Sequence, residues 1–600
     1  MTHDMNGPAF PAHDNAADDT CGSNAAPEAP ALPEGFELRR DGLYWREDAA
    51  PVFVSGRIVA TAQTRDGDGH AWGVLLEWPD DDGRAHQWVM PRALLAGDGV
   101  EVVRELMARG LRVSSGRRGR ERLLDYLNRV SPPARVRVVP RLGWHDTVTG
   151  GRVFVLPEAT LGDTGPERIV LQVERRDALP PIRQAGTLEE WQTRVGAVAV
   201  GNTRLAFMIS AAFAPPLLGL LGADGGGFHL RCRSSSGKTS TLRAAGSVWG
   251  GGTVTGFCAS WRATDNGLEG AAAAHNDLPL ILDEINEAGA EDAGKIAYLV
   301  ANGRGKARAG RDGGARGVAM WRTVLLSAGE VSLADKMGEA GKHGGRVKAG
   351  QEMRLLDIPG DTQRFGLFET LHGHPDGAAL ADALKAAAGH YYGTAGRAWL
   401  ERLAADPEAA MRRAREVQAE WLAEHLPPNP GAQVRRAADY FALVAAAGEM
   451  AAGAGILPWP PGEASTAAAA CFEVWRETRR GGDGDAEAAE AIERARGFII
   501  AHGASRFEAL DAHDTATSDK TVNRAGWRKG QGSAARYLIP REVWRGEVMA
   551  GADPEAAARA LRDAGFLISD DRQRLVKRER VGGLNPRVYV IRATILGDDD

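Results

Sequence analysis

Residues 226–250, GGFHLRCRSSSGKTSTLRAAGSVWG, constrain the chain more than any other stretch. An apolar run ends at Cys232, a loop of small residues follows, and a helix-forming run begins near Lys238. In that order the backbone N–H groups of Ser235, Ser236, Gly237 and Lys238 can surround an anion, and the helix start adds favourable partial charge. The spacing points to a nucleoside triphosphate, with ATP and Mg2+ as the expected ligands. Lys238 then reaches the β and γ phosphates, the Thr239 hydroxyl ligates magnesium, and Ser234 and Ser240 complete the nucleotide-binding set. The pattern GxxxxGK[ST] opens with Gly where this chain has Cys232, which leaves slow or absent hydrolysis open. The bland alternative is a chance SGKT between a strand and a helix.

A second element lies about forty positions on. LPLILDEINEA (278–288) is an apolar strand ending in paired carboxylates, the pattern of a Walker B strand. Asp283 is placed to hold magnesium through water, and Glu284 to orient and polarise an attacking water, provided both stand at the exposed end of a buried strand. A third apolar strand, WRTVLLSAGE (321–330), suits a sensor of the γ-phosphate; Ser327 is the candidate, with Glu330 second. Farther on, MRLLDIPGD (353–361) puts Arg354 at the head of a short strand, where ring-forming ATPases commonly carry an arginine that reaches the neighbouring subunit. Arg346 competes for that role, and a plain surface arginine is the alternative reading.

The rest of the chain is organised around this centre, and 600 residues are too many for one core. Residues 1–33, rich in Ala, Pro and Asp, read as a disordered tail. Residues 34–184 mix strand-like runs with two helical stretches and read as an α+β domain; they include GWHD (143–146) and VFVLP (153–157). His145 reads as a packing or hydrogen-bonding residue, and RRGR (117–120) as a solvated helix start. Residues 185–400 alternate apolar strands with helices, which implies a mostly parallel sheet. Residues 401–500 read as a helical lid or connector punctuated by LPPNPG and LPWPPG, and 501–600 as a winged-helix-like end whose hairpin joins RLVKRER to RVYVIRA.

The net charge of −6 and pI near 6.2 exclude a generally basic coat, so contact with nucleic acid must come from local patches. Four scattered cysteines without a CxxC pair indicate neither a zinc site nor a disulfide framework, and a reducing cytoplasm fits. No membrane span is expected; FMISAAFAPPLLGLLG (206–221) reads as a buried helix and turn. One local basic patch does stand out: NGRGKARAGRDGGARGVAM (302–320), with Arg304, Lys306, Arg308, Arg311 and Arg316, reads as a Gly-rich hairpin. Ring helicases of the minichromosome-maintenance and superfamily 3 type carry at this position a hairpin that grips the DNA backbone. Arg304, Lys306, Arg308 and Arg311 are therefore the candidate DNA-binding set, against the reading of a mobile loop kept soluble by its charge.

SWRATDNGLEGAAAAHNDLPLILDEI (260–285), LLSAGE (325–330), AGQEMRLLDIP (349–359), GWHD and VFVLP together resemble the bacterial family of domain of unknown function nine-two-seven, over most of residues 36–370. Members of that family are similar to helicases, resemble the ring AAA+ class in motif order, and are typically carried by phages and mobile elements. The resemblance implies a multidomain α/β protein with a central AAA+ P-loop sheet, forming a homo-oligomeric ring with a hexamer as the candidate stoichiometry. It implies ATP-driven movement on single-stranded or forked DNA in replication of such an element. Two rivals stand beside it: an ATPase that remodels proteins or acts in defence without unwinding, and an ATP-switched DNA-binding regulator with negligible turnover.

Overall fold

The computed structural model describes residues 32–48, 50–173, 178–253, 255–306, 308–309, 315–316, 318–339, 353–479, 482, 486–510, 523–570, 574–581 and 583–597. The expected tail (1–33) lies almost wholly outside them, as do Arg311 and Arg346. The chain divides into two compact units, 1–138 and 139–600. The division falls within the stretch 34–184 that the sequence pattern groups together.

In the first unit, β1 (Phe36–Leu38), β2 (Leu43–Trp45) and β3 (Val52–Ser55) form one antiparallel sheet. In the second sheet, β4 (Val59–Arg65), β5 (Gly73–Pro79) and β6 (Ala85–Pro91) are antiparallel, and β7 (Arg135–Val139) adds in parallel to β4. Strand β4 alternates inward Ala60, Ala62 and Thr64 with half-exposed neighbours, the period-two pattern of a sheet with one face on a core. Two helices complete the unit: α1 (Val100–Ala108) and α2 (Arg117–Arg129), the latter burying Leu123, Tyr126 and Leu127 on one face. RRGR thus opens α2, as its charge pattern implies.

The second unit opens with the hairpin β8 (Gly143–Asp146) and β9 (Arg152–Val155), followed by β10 (Thr160–Leu161) and β11 (Arg168–Leu171). A short α3 (Leu188–Trp191) and the buried pair α4 (Thr203–Phe213) and α5 (Pro215–Leu221) precede the central sheet. Among the described residues no single helix is long and apolar enough to cross a membrane; α4 and α5 pass only as a bent pair, and nearly all their residues are buried in the core.

The central sheet consists of β12 (Gly226–Arg231), β13 (Ala259–Ser260), β14 (Leu280–Asp283), β17 (Val324–Gly329) and β18 (Leu356–Pro359), with β15 (Arg308–Ala309) and β16 (Ala315–Arg316) forming a separate two-stranded ribbon. Its order is β13-β14-β17-β12-β18 and every pairing is parallel. Helices α6 (Lys238–Ser247), α7 (Asp265–Ala274), α8 (Ala290–Asn302) and α9 (Leu333–Gly338) make the crossovers, and the inner strands β12, β14 and β17 are almost wholly buried. The first strand in the chain lies inside the sheet, between the fourth and the fifth, and such a reversal opens a crevice at the carboxyl ends of the strands.

Helices α10 (Gly377–His390), α11 (Thr394–Ala405), α12 (Pro407–His425), α13 (Ala432–Gly453) and α14 (Glu463–Thr478) follow. They share the core of the central sheet: Phe441 of α13 packs 5.4 Å from the ring of Phe207 on α4 and 5.3 Å from that of Phe228 on β12. After α15 (Ala486–His502) comes a five-stranded sheet of β19 (Phe507–Ala509), β20 (Gly526–Lys529), β21 (Arg536–Pro540), β22 (Lys577–Arg578) and β23 (Arg587–Arg592), in the order β19-β20-β21-β23-β22. Helix α16 (Pro554–Asp563) packs with α15 against one face, burying Leu561, Tyr589 and Ile591. The hairpin read from RLVKRER and RVYVIRA is the β22–β23 pair, set beside a larger sheet than the sequence pattern suggests.

GWHD is held to the amino-terminal edge of the central sheet by one buried carboxylate. Asp277, fully buried, takes Arg322 in a two-pronged contact (Nε–Oδ1 2.7 Å, Nη2–Oδ2 2.8 Å) and accepts the Trp144 N–H at 2.9 Å. Asn276 donates to the Leu142 carbonyl at 2.7 Å. Gly143, at φ 97°, has no room for a side chain, since a Cβ there would stand 2.2 Å from Asp277 Oδ2. His145 hydrogen-bonds the Arg141 carbonyl at 2.9 Å, the structural role expected of it. Arg322→Ala leaves this carboxylate without its cation, which should lower stability by about 3–5 kcal/mol. A thermal midpoint equal to wild type would show that the Trp144 and Asn276 donors suffice.

Candidate functional site

Strand β12 is paired on both sides, with Arg231 opposite Gly329 of β17 and Pro359 of β18, and the Cys232 N–H donates to the Gly329 carbonyl at 3.0 Å. The chain therefore leaves the sheet at a fixed point. Ser235 (φ 60°) and Gly237 (φ 98°) both adopt left-handed backbone, which curls residues 233–237 over the start of α6 at Lys238. Such a curl turns successive N–H groups inward, toward the amino-terminal end of the helix. Gly237 is required twice over: its φ suits glycine, and a Cβ would stand 2.8 Å from the Phe368 ring.

Lys238 is buried, and its ammonium donates to the carbonyls of Cys232 at 2.8 Å and Arg233 at 2.6 Å. Thr239 is half-buried and Ser240 buried at the same helix start, while Ser234 and Ser235 are exposed. The Ser236 hydroxyl is buried without a hydrogen-bond partner.

Asp283 ends β14, whose Leu282 pairs with Ser327 of β17. Glu284 follows with left-handed backbone (φ 59°), its N–H donating to Asp283 Oδ1 at 3.0 Å. One oxygen of the Glu284 carboxylate is buried with no partner. The acids and the 233–238 loop stand at one edge of the sheet with only β17 between their strands, a lateral span of roughly 10 Å at normal strand spacing.

Ser327 lies two residues inside the end of β17, fully buried. The Trp261 indole donates to its hydroxyl at 2.8 Å, and the hydroxyl contacts His229 Nδ1 at 2.9 Å. The Val331 carbonyl beside Nε2 can only accept, so the neutral ring carries its proton on Nε2 and Nδ1 accepts the Ser327 hydroxyl proton. The Nε2 proton of His229 then donates to the Val331 carbonyl at 3.0 Å. Burial holds the His229 imidazole below its usual pKa, in the neutral form this pattern needs. Ser327 therefore ties β12, β17 and the Trp261 loop together, and Glu330, just beyond the strand, is the residue at the exposed edge.

Arg354 is not near the loop. It precedes β18, whose Leu356 pairs with Phe228, and so stands at the amino-terminal edge, where its guanidinium bonds Asn302 and covers the Tyr298 ring at 4.6 Å. The basic segment roots at this same edge. Arg304 bridges Met320, and Arg308 and Ala309 pair antiparallel with Arg316 and Ala315, so the described residues of the segment form an antiparallel ribbon. Arg304 is exposed; Lys306 pairs with Asp265 of α7 at 3.5 Å, and the Met320 carbonyl accepts from Arg141 at 3.2 Å.

The segment after β18 is a contributor that sequence reasoning missed. Gly360 N–H donates to the Arg231 carbonyl at 2.8 Å, Leu367 N–H to the Ser236 carbonyl at 3.1 Å, and Phe368 lies against Gly237. Its GDTQRFG run looks like an ordinary turn; only the sheet order places it beside the phosphate-type loop.

Comparison with known proteins agrees with this architecture. The profile described as Domain of unknown function (DUF927) matches residues 36–320. Residues 36–320 are a DUF927 region. No curated protein matches the sequence. The whole chain is similar in fold to a solved structure described as "SCCmec type IV Cch - active helicase", with a TM-score of 0.70 at 17% identity, over 94% of this chain and 99% of that one. The DUF927 region ends at the return of the basic hairpin, so the loop, the acids and the hairpin lie within it, whereas β17, Arg354 and the 360–368 turn lie beyond it.

Gly237→Ala should cost about 1–3 kcal/mol through its backbone alone. A thermal midpoint equal to wild type would show that the loop accepts a side chain at this position.

Proposed function

We propose that this protein is an ATP-dependent DNA helicase or translocase of the ring-forming AAA+ type, acting in replication of a phage or integrated mobile element. The observation that carries the reading is the left-handed loop at Ser235 and Gly237, leading into Lys238 beside two carboxylates at one sheet edge. The sheet order, with the loop strand between the fourth and fifth strands, supports the AAA+ assignment. The fold shared with a protein described as an active helicase supports the motor assignment.

The residues present fit a nucleotide with its magnesium. The unpartnered Ser236 hydroxyl and Glu284 oxygen are buried polar atoms that a ligand would satisfy, and the loop's curl leaves N–H groups for phosphate oxygens. Thr239 and Asp283 would hold the metal, which supplies charge neutralisation on the transferring phosphoryl group. Lys238 exchanges its two carbonyl contacts for phosphate oxygens. Glu284 accepts a hydrogen bond from the attacking water and orients it in line with the leaving oxygen. Cys232, buried at the loop's first position, leaves the strand without requiring positive φ, which supports tolerance of Cys where the pattern has Gly.

The basic ribbon is rooted at the amino-terminal edge, the opposite end of the strands from the loop, so in this reading nucleotide and DNA engage opposite ends of the sheet. In this reading Arg304, Lys306, Arg308 and Arg311 contact phosphates without reading sequence. The location of Arg354 beside the hairpin root favours a part in the subunit interface or in hairpin support over contact with nucleotide in its own chain. The C-terminal sheet with its basic hairpin is assigned as the winged-helix-like module.

Lys238→Ala should abolish ATP binding, and Glu284→Gln should bind ATP while turnover falls by about 10²-fold or more. Turnover that survives in both variants would end the assignment. Single-stranded DNA should stimulate the wild-type ATPase, and Arg304→Ala with Lys306→Ala should weaken that stimulation. Turnover indifferent to DNA, with no strand separation on a forked substrate, would favour a protein-remodelling ATPase.

A further inference from the structure

The three inner strands of the C-terminal sheet carry a row of cations. Lys529 on β20 stands directly opposite Arg536 on β21, and Arg536 directly opposite Arg592 on β23. All three are exposed, and among the described residues none meets a carboxylate. Two residues from each along its strand, Trp527, Leu538 and Val590 are buried together, so the three cations share one face and continue that apolar patch toward solvent.

Like charges placed directly opposite each other on a sheet oppose its formation. Cations are common on edge strands, where they block pairing with other chains. That explanation fails at this level: β21 is paired on both sides, the outer side of β23 bonds residues 566–568 (the Arg592 N–H donates to the Phe566 carbonyl at 2.8 Å), and the Arg528 carbonyl of β20 accepts the Leu510 N–H at 2.9 Å. A second like-charged pair, Arg578 opposite Arg587, lies at the other end of β23. By contrast, Arg524 over the Trp527 ring is matched with Glu508, so this domain neutralises cations where neutralisation serves the fold.

We infer that the Lys529–Arg536–Arg592 row is a docking site for the phosphate backbone of DNA, distinct from the hairpin at residues 304–320 and at the opposite end of β23 from its pairing with β22. Strand spacing sets neighbouring cations about 5 Å apart. Their long side chains can splay to meet successive phosphates of one strand. The contacts are to phosphate alone, so the site is indifferent to sequence and sensitive to salt. This inference rests on the DNA-acting reading above, but not on ATP turnover.

The test is fluorescence anisotropy of the full chain with labelled single-stranded and duplex oligonucleotides across a salt series, without nucleotide. Lys529→Gln, Arg536→Gln and Arg592→Gln combined should weaken binding at least about tenfold at low salt and reduce the slope of log affinity against log salt by about 2 to 3. The thermal midpoint of this variant should stay level or rise, because repulsion is removed; a purely structural row would lower it. A wild-type chain that binds neither oligonucleotide overturns the DNA-acting reading and this inference with it. A wild type that binds, with affinity and slope unchanged in the variant, overturns this inference alone. Preference for polyglutamate over DNA would overturn it in favour of an acidic protein partner.

Discussion

Parallel pairing of β12 on both sides is the constraint from which the candidate site follows. With Arg231 fixed between Gly329 and Pro359, the chain has one exit from the sheet. Two left-handed residues in the next six then suffice to bring it round to the start of α6. The same register carries Leu282 to the level of Ser327, which puts the Asp283 and Glu284 carboxylates at the edge where the loop emerges. Neither group needs an element of its own to position it, because both are consequences of strand length and register. The His229–Ser327–Trp261 chain reinforces that register from within. A neutral imidazole, a hydroxyl and an indole satisfy one another where a charged group would be costly to bury.

Much of this was legible in the sequence, and the reasons differ from residue to residue. The loop and the acidic strand could be read because local chemistry alone demands them: small residues where backbone must approach an anion, and apolar runs where a strand is covered on both faces. The basic hairpin was legible from its glycines, and its described residues form an antiparallel ribbon. Ser327 was harder. Its strand reads correctly, but whether a serine two positions from the end faces the ligand or the core depends on partners supplied by His229 and Trp261, separated from it by 98 and 66 positions. Arg354 shows the same limit. Sequence placed it at the head of a strand, but only the pairing of Leu356 with Phe228 reveals which edge of the sheet that head occupies.

The grouping of 34–184 reflects another blind spot. The pattern of short strands continues past residue 138 without a break in composition, so nothing local marks a change of allegiance. Asp277 is what draws the GWHD strand into the second unit, through a buried contact that spans 133 positions. A run of strands in sequence tells which segments are extended; long-range polar contacts such as this one decide which core they join. Likewise the helices of residues 401–500 look like a connector by composition, yet Phe441 belongs to the same aromatic group as Phe228 on β12.

Charge makes a related point. A net charge of −6 says that the surface as a whole repels a polyanion. Against that background, under the DNA-acting reading proposed above, local cation groups are where a polyanion would be admitted, and their cost to the fold separates them from ordinary solvated arginines. Lys306 is matched by Asp265, so it helps secure the root of its hairpin as well as carrying charge. The Lys529, Arg536 and Arg592 row has no such counterpart among the described residues and sits where strand pairing forces like charges together. A fold that tolerates repulsion at its centre, while pairing Arg524 with Glu508 on the β19 edge, supports a role for those three charges outside the sheet.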